Sequence, residues 1–251
     1  MRALGLLLIC AAVSVLSLPA LATTVFSIDS GTANDTAMTN WQTSQMMWLN
    51  AFDTGSQTVD INQMSVAFPN NLPAYQGQTK DPHLTAGTTV YMDLYSDGPS
   101  QLGNPSDPGV TLLYETSFTY PASNFPDSST FLPVSVPGVS VTGKFFVGVT
   151  ALAREDLGLS EYDEDAPSLT YGGDSSKSWV IYENQGDTSA INRDSLSGNA
   201  NVLPYTFFGS PGVNMIRAAG DPIPEPMTMA SVFMALGSLG CWVRRRAKLG
   251  A

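Results

Sequence analysis

The chemistry open to this 251-residue chain is limited first by its side chains, which include one histidine and two cysteines. His83 stands between Pro82 and Leu84 in a stretch rich in turn-forming residues. A Ser-His-Asp hydrolase would need it as general base, yet no Gly-x-Ser-x-Gly elbow occurs to present a nucleophile. One histidine cannot build a zinc site of His and Cys ligands either. Phosphate-binding Gly-x-x-x-x-Gly-Lys loops and dinucleotide fingerprints are missing. Carboxylates remain: two of them about 5 to 9 Å apart could hydrolyse a glycoside, although spacing along a sequence cannot reveal such a pair. The residues point away from catalysis and towards binding or structure.

The densest acidic run, Arg154 to Asp165, contains Glu155, Asp156, Glu161, Asp163, Glu164 and Asp165. Crowded hard oxygen ligands suit Ca²⁺, with Asp163 and Asp165 the first candidates and Glu155 and Asp156 the second. The run lacks the glycine and closing glutamate of an EF-hand, and a solvated acidic loop accounts for the same residues. Calcium is thus the one candidate cofactor. Aromatic residues offer a second binding chemistry, stacking on sugar rings. Trp41, Trp48, Trp179, Tyr171 and Tyr182 are available, and Trp179 reads as core. Tyr91 and Tyr95 share a strand face with Asp93, opposite Val90, Met92 and Leu94, so they are the expected exposed platform for carbohydrate.

The elements that must carry these residues are strands. Val90–Tyr95 alternates, as do Phe145, Val147 and Val149. In Val59–Phe68 the apolar parity changes near Asn62 and Gln63, as a β-bulge would make it. Thr111–Phe118, Thr130–Val136, Ser178–Glu183, Val202–Phe208 and Val213–Arg217 are further candidates; Met38–Leu49 could hold a short helix. Long Gly-, Pro-, Asn-, Asp- and Ser-rich breaks at 69–87, 97–109, 152–177 and 184–201 separate them. About eight or nine strands with such loops make an all-β fold, a single β-sandwich of jelly-roll type. No internal repeat suggests an array.

Both ends of the chain carry export information. Arg2, an apolar stretch from Leu4 to Leu18 and the A-x-A motif Ala20-Leu21-Ala22 form a signal peptide over 1–22, cut before Thr23. At the other end, Pro224, Glu225 and Pro226 precede 17 uncharged residues, Met227 to Val243, and then Arg244, Arg245 and Arg246. As a helix those residues rise about 25 Å, enough for a thin bilayer. The arginines hold their end in the cytoplasm by the positive-inside bias.

Triplet, span and basic end in this order resemble the PEP-CTERM sorting signal of Gram-negative bacteria. The resemblance implies recognition and removal of the tail (221–251) by exosortase, a membrane transpeptidase. It also implies an association with exopolysaccharide and biofilm matrix. The region 23–220 is similar to bacterial surface β-sandwich domains through Ile61–Phe68, Val90–Tyr95, Phe145–Val149, Ser178-Trp179 and Asn214–Arg217. That similarity implies a fold and a surface location rather than a reaction.

Composition fits an exported domain. Of the 22 acidic residues 20 fall in 23–220, against six of the 11 basic ones, an excess of 14 negative charges there. Such a surface repels nucleic acid and anionic lipid and attracts cations. Cys10 and Cys241 both lie in the two export segments, so the domain is held by core burial without a disulfide. The sequence as a whole reads as a non-enzymatic, exported β-sandwich. Its processing partners are signal peptidase and exosortase; it contacts the membrane through its C-terminal helix until processing. It then resides at the envelope surface or in extracellular matrix, in a structural or adhesive role linked to exopolysaccharide. The alternatives are a carbohydrate- or calcium-dependent binding module and a secreted glycoside hydrolase.

Overall fold

The computed structural model describes residues 22–36, 45–68, 89–120, 129–152, 166–183, 190–208 and 212–224. The expected signal helix, membrane span, basic tail and acidic loop lie outside them. Among the described residues no helix is long and apolar enough to cross a membrane. Strands follow in the order β1 (Thr24–Phe26), β2 (Asp35–Thr36), β3 (Gln45–Ala67), β4 (Thr89–Ser96), β5 (Thr111–Thr119), β6 (Phe131–Leu152) and β7 (Ser168–Thr170). After them come β8 (Ser178–Tyr182), β9 (Asn201–Pro204), β10 (Val213–Asn214) and β11 (Ile216–Pro222). The fold is all-β, and its strand pairs are antiparallel.

Two long strands form the spine. β3 spans 23 residues and β6 spans 22, and they pair along nearly their whole length. On its other side β3 pairs with β8 over 46–50 and with β11 over 59–66, so one ribbon serves two sets of neighbours. The main sheet runs β1-β11-β3-β6-β4-β5, with β8 and β9 branching from β3; a small sheet runs β10-β7-β2.

The ribbon bends where pairing slips between Asp53 and Thr58. Gly55 and Gly143 take φ of 65° and 77° there, a left-handed conformation that side chains with a Cβ resist. Thr54 Oγ1 spans the bend, donating to the Gln57 carbonyl at 2.6 Å and accepting the Gly143 N–H at 2.8 Å. Beyond the bend the two ribbon halves share one core. Met46, Trp48 and Phe52 from the first half join Ile61, Met64, Val66 and Phe68 from the second, with Val90, Met92, Leu94, Phe145, Val147 and Val149. Burying each such side chain contributes about 1.5–3 kcal/mol. The result is sandwich-like.

Sequence expectations fare unevenly. The parity change at Asn62 is a real slip, between Ile61 and Gln63. The short helix expected over Met38–Leu49 is corrected in its described part, because Gln45–Leu49 is strand. Met46 and Trp48 face the main core while Met47 and Leu49 face a second cluster, so both sides are apolar and the period of two is hidden. Thr130–Val136 and Phe145–Val149, expected as separate strands, are parts of β6. Val202–Phe208 becomes strand only to Pro204 and then a 3-10 turn. β11 runs past the expected domain end at Gly220, as far as Pro222.

Candidate functional site

β4 delivers the expected alternation: Val90, Met92 and Leu94 enter the main core, and Tyr91, Asp93 and Tyr95 take the other face. That face is covered. Residues 190–200 lie across it, placing Ile191 and Leu196 in a second apolar cluster with Met47, Leu49, Tyr95, Phe146 and Ile181. Asn199 ties this loop together. Its Nδ2 donates to the Leu196 and Asn192 carbonyls at 2.9 and 3.2 Å, and its Oδ1 accepts the Asn192 N–H at 2.7 Å.

Arg193 descends from the loop onto β4. Its Nε donates to Asp93 Oδ2 at 2.8 Å and a terminal nitrogen bonds Asp93 Oδ1, a two-pronged pair. The guanidinium lies 4.3 Å from the Tyr91 ring centre and 3.2 Å from Glu115 on β5. Tyr95 donates its hydroxyl to the Arg193 carbonyl at 3.0 Å, with Asp93 Oδ2 at 3.4 Å.

The expected exposed platform is therefore corrected. Tyr95 is fully buried and cannot stack on a sugar, while Tyr91 is half-buried with Arg193 on its face. Alternation identifies the side of a strand, and a segment about 100 residues later decides whether that side meets water. Asp93 and Glu115 are cross-strand neighbours that share Arg193, but the Asp93 side chain has no exposure, so this pair cannot reach a glycoside. Burial lifts the Asp93 carboxyl above its ordinary value against the opposing pull of Arg193.

Burial, with Asp93 beside it, also pushes the Tyr95 phenol far above the ordinary tyrosine value. A raised folded-state pKa favours the fold while the phenol is protonated in both states. That contribution is complete below about pH 10 and is lost as pH rises above it. Tyr95→Phe is expected to cost about 1 kcal/mol at pH 7 through lost hydrogen bonding and to flatten the alkaline decline. Tyr120, raised by burial in the same direction, keeps part of it. Urea midpoints at pH 7 and pH 11 check this; equal declines in variant and parent would refute it.

A second clasp repeats the chemistry. Arg217 on β11 donates through Nε to Asp29 Oδ2 at 2.9 Å, bonds Asp29 Oδ1 as well, and lies 3.9 Å from the Phe131 ring centre. Each clasp fastens a loop to the sheet. Neither was expected from sequence, although the scarcity of arginines in a strongly acidic domain, three in 23–220, was a usable signal.

The remaining expected residues divide by position. Thr23 is exposed and donates to Asp221 Oδ1 at 2.7 Å. Ala22 and Pro224 are exposed; Ala20, Glu225, Pro226 and Arg244–Arg246 lie outside the described residues. So do Trp41 and the calcium candidates Glu155, Asp156, Asp163 and Asp165, and no cluster of three potential metal ligands occurs among the described residues. Trp48 is buried, Trp179 and Tyr182 half-buried, and Tyr171 exposed.

An open cleft of about 470 Å³ lies beside β1. Val25, Phe26, Asp53, Leu102, Lys144 and Lys177 contribute to its walls.

No family model matches the chain, and no curated protein matches it. Among solved structures it is similar to the cysteine protease and lectin-like domains of Cwp84, a surface layer associated protein of Clostridium difficile. The identity is 13% and the TM-score 0.45, over 79% of this chain and 36% of that one. Clostridial Cwp84 cysteine protease after propeptide cleavage is similar at 13% identity and TM-score 0.46, over 79% and 40%. The chain spans less than half the length of either.

Proposed function

We propose that this chain is an exported protein of the PEP-CTERM kind, sorted by exosortase to the cell envelope surface or an extracellular matrix. There it has a structural or adhesive role and no catalysis of its own. The observation that carries the reading is where the two flanks leave the domain. Thr24 pairs with Gly220, Thr23 bonds Asp221, and the Ile223 N–H donates to the Thr58 carbonyl at 2.9 Å. Thr23 and Ile223, next to the proposed cleavage site and the proposed triplet, therefore lie at one pole. A precursor with an apolar segment at each end hangs from the membrane by that pole, leaving its sheets clear of the bilayer. The jelly-roll connectivity belongs to this proposal, and the bent β3/β6 ribbon serving two sets of neighbours supports it.

Deleting Pro224–Pro226 tests the sorting step. The parent is expected to lose its tail and leave the inner membrane, and the variant to remain there at full length. Fractionation with intact-mass measurement reads both. A variant processed and released like the parent, or parent protein found outside cells with Arg244–Arg246 attached, would overturn the reading.

The binding-module alternative keeps one supporting observation, the cleft beside β1, whose walls include Lys144 and Lys177.

A further inference from the structure

The basic side chains among the described residues are Lys144, Lys177, Arg193 and Arg217. Both arginines are consumed by the clasps on Asp93 and Asp29. Both lysines line the cleft beside β1. In a domain with so large an acidic excess, this gathers its remaining described cations on one concave surface.

The two lysines differ in availability. Lys177 is exposed and paired with Asp174 at 3.1 Å, a surface contact that a ligand carboxylate can exchange. Lys144 has no carboxylate at ion-pair distance among the described residues. Its cross-strand neighbour Asp53 instead accepts the Gly55 N–H at 2.7 Å. The Lys144 side chain runs along Gly103, where an added Cβ would stand 3.4 Å from its Cδ and 3.6 Å from its Nζ.

The apolar wall is equally held in place. Phe26 is half-buried and meets Phe145 edge-on, with centroids 5.2 Å apart at 89°. Leu102 is 68% exposed and Val25 61%. Leu102 does not project from a slack loop. Asp97 accepts the Gly98 and Gly103 N–H groups at 2.9 and 2.7 Å, and Gln101 accepts the Lys144 N–H. A loop fastened on both sides of an exposed leucine presents that leucine.

We infer that this cleft is a binding site for a carboxylate-bearing ligand with an apolar face, of disaccharide or dipeptide size. Lys144 and Lys177 meet the carboxylate; Phe26, Val25 and Leu102 meet the apolar face. The volume is within the range of small-molecule sites, about 300–1,000 Å³. The inference does not depend on whether the tail is processed.

Titration calorimetry of the full-length chain in a neutral detergent tests it with two probes, digalacturonate and N-acetyl-Phe-Glu. Neutral digalactose and N-acetyl-Phe-Gln amide serve as their controls. At least one acidic probe is expected to bind with Kd of about 1 mM or tighter, at least tenfold better than its control, and more weakly as salt is raised. Binding of the sugar acid alone or of the peptide alone names the source of the carboxylate. Lys144→Glu is expected to lower affinity at least tenfold, with Lys144→Arg retaining it. Leu102→Asp, at a solvent-facing position, supplies a second variant independent of the core and is also expected to lower affinity at least tenfold. The inference falls if no acidic probe binds at about 10 mM, if acids and neutral controls bind alike, or if Lys144→Glu and Leu102→Asp both bind like the parent.

Discussion

Arg193→Met is expected to cost the fold about 3 to 5 kcal/mol at neutral pH, a fall of roughly 6 to 20 °C in melting temperature for a domain of this size. The variant leaves the Asp93 carboxylate without its two-pronged partner in a place with no solvent exposure. Burial already raises Asp93, and removing the guanidinium removes the opposing pull. The carboxyl escapes by taking a proton, so the penalty has a pH dependence of definite sign. With the folded pKa above the unfolded value of about 3.9, a protonated Asp93 is tolerated in acid, and stability is lost as pH rises through the folded value. The variant's deficit against the parent is therefore expected to be smallest near pH 4 and largest near pH 7. Denaturant titrations at the two pH values read it directly. A constant deficit would mean that packing of the 190–200 loop, rather than charge, carries the loss. Asp93→Leu combined with Arg193→Met, which removes both charges, is expected to recover much of the stability, as replacement of buried ion pairs by apolar groups often does.

Asn50→Leu is expected to cost about 3 kcal/mol or more, by leaving several buried polar groups unpaired at about 1–3 kcal/mol each. Asn50 is fully buried at the point where the chain passes from β10 in the small sheet to β11 in the large one. Its Nδ2 donates to the Asn214 and Ile216 carbonyls at 2.7 and 2.9 Å, and its Oδ1 accepts the Ser178 hydroxyl at 2.8 Å. Ser178 Oγ in turn accepts the Asn214 N–H at 3.0 Å. Between these contacts, Met215 donates its N–H to Ser168 and accepts that of Ala67. Leucine keeps similar bulk but none of these bonds. Amide exchange is expected to quicken at 213–217 before the rest of the sheet, since the junction loses its side-chain clamp first. Uniform protection through that segment, with a loss below about 1 kcal/mol, would mean that the neighbouring backbone bonds hold the junction without Asn50.

Both effects concern residues whose importance the sequence barely signals. Asn50 interrupts an apolar run, and nothing near it in the chain indicates that it faces carbonyls more than 160 residues away. Asp93 serves in sequence only to mark the polar side of an alternating strand. The same alternation places Val90, Met92 and Leu94 correctly in the core and Tyr91 and Tyr95 on the opposite side. It then misleads about Tyr95, because the cover over that side comes from a loop without periodicity. Met46–Phe52 shows the converse failure, strand hidden by burial on both faces. The cleft was illegible for a similar reason: Phe26, Leu102, Lys144 and Lys177 come from four separate segments.

The sequence by itself determined that the domain is built from strands, that one of them slips register near Asn62, and that its core lacks a disulfide. Those properties reside in side-chain parity and composition along a continuous piece of chain, where the backbone geometry of a strand is enough to interpret them. Only the tertiary structure decided that β3 and β6 are one bent ribbon, which face of β4 is sealed, which arginine meets which aspartate, and where Lys144 and Lys177 gather. Each of those depends on which distant segments are brought together, a choice made by the packing of the whole chain and absent from any local pattern.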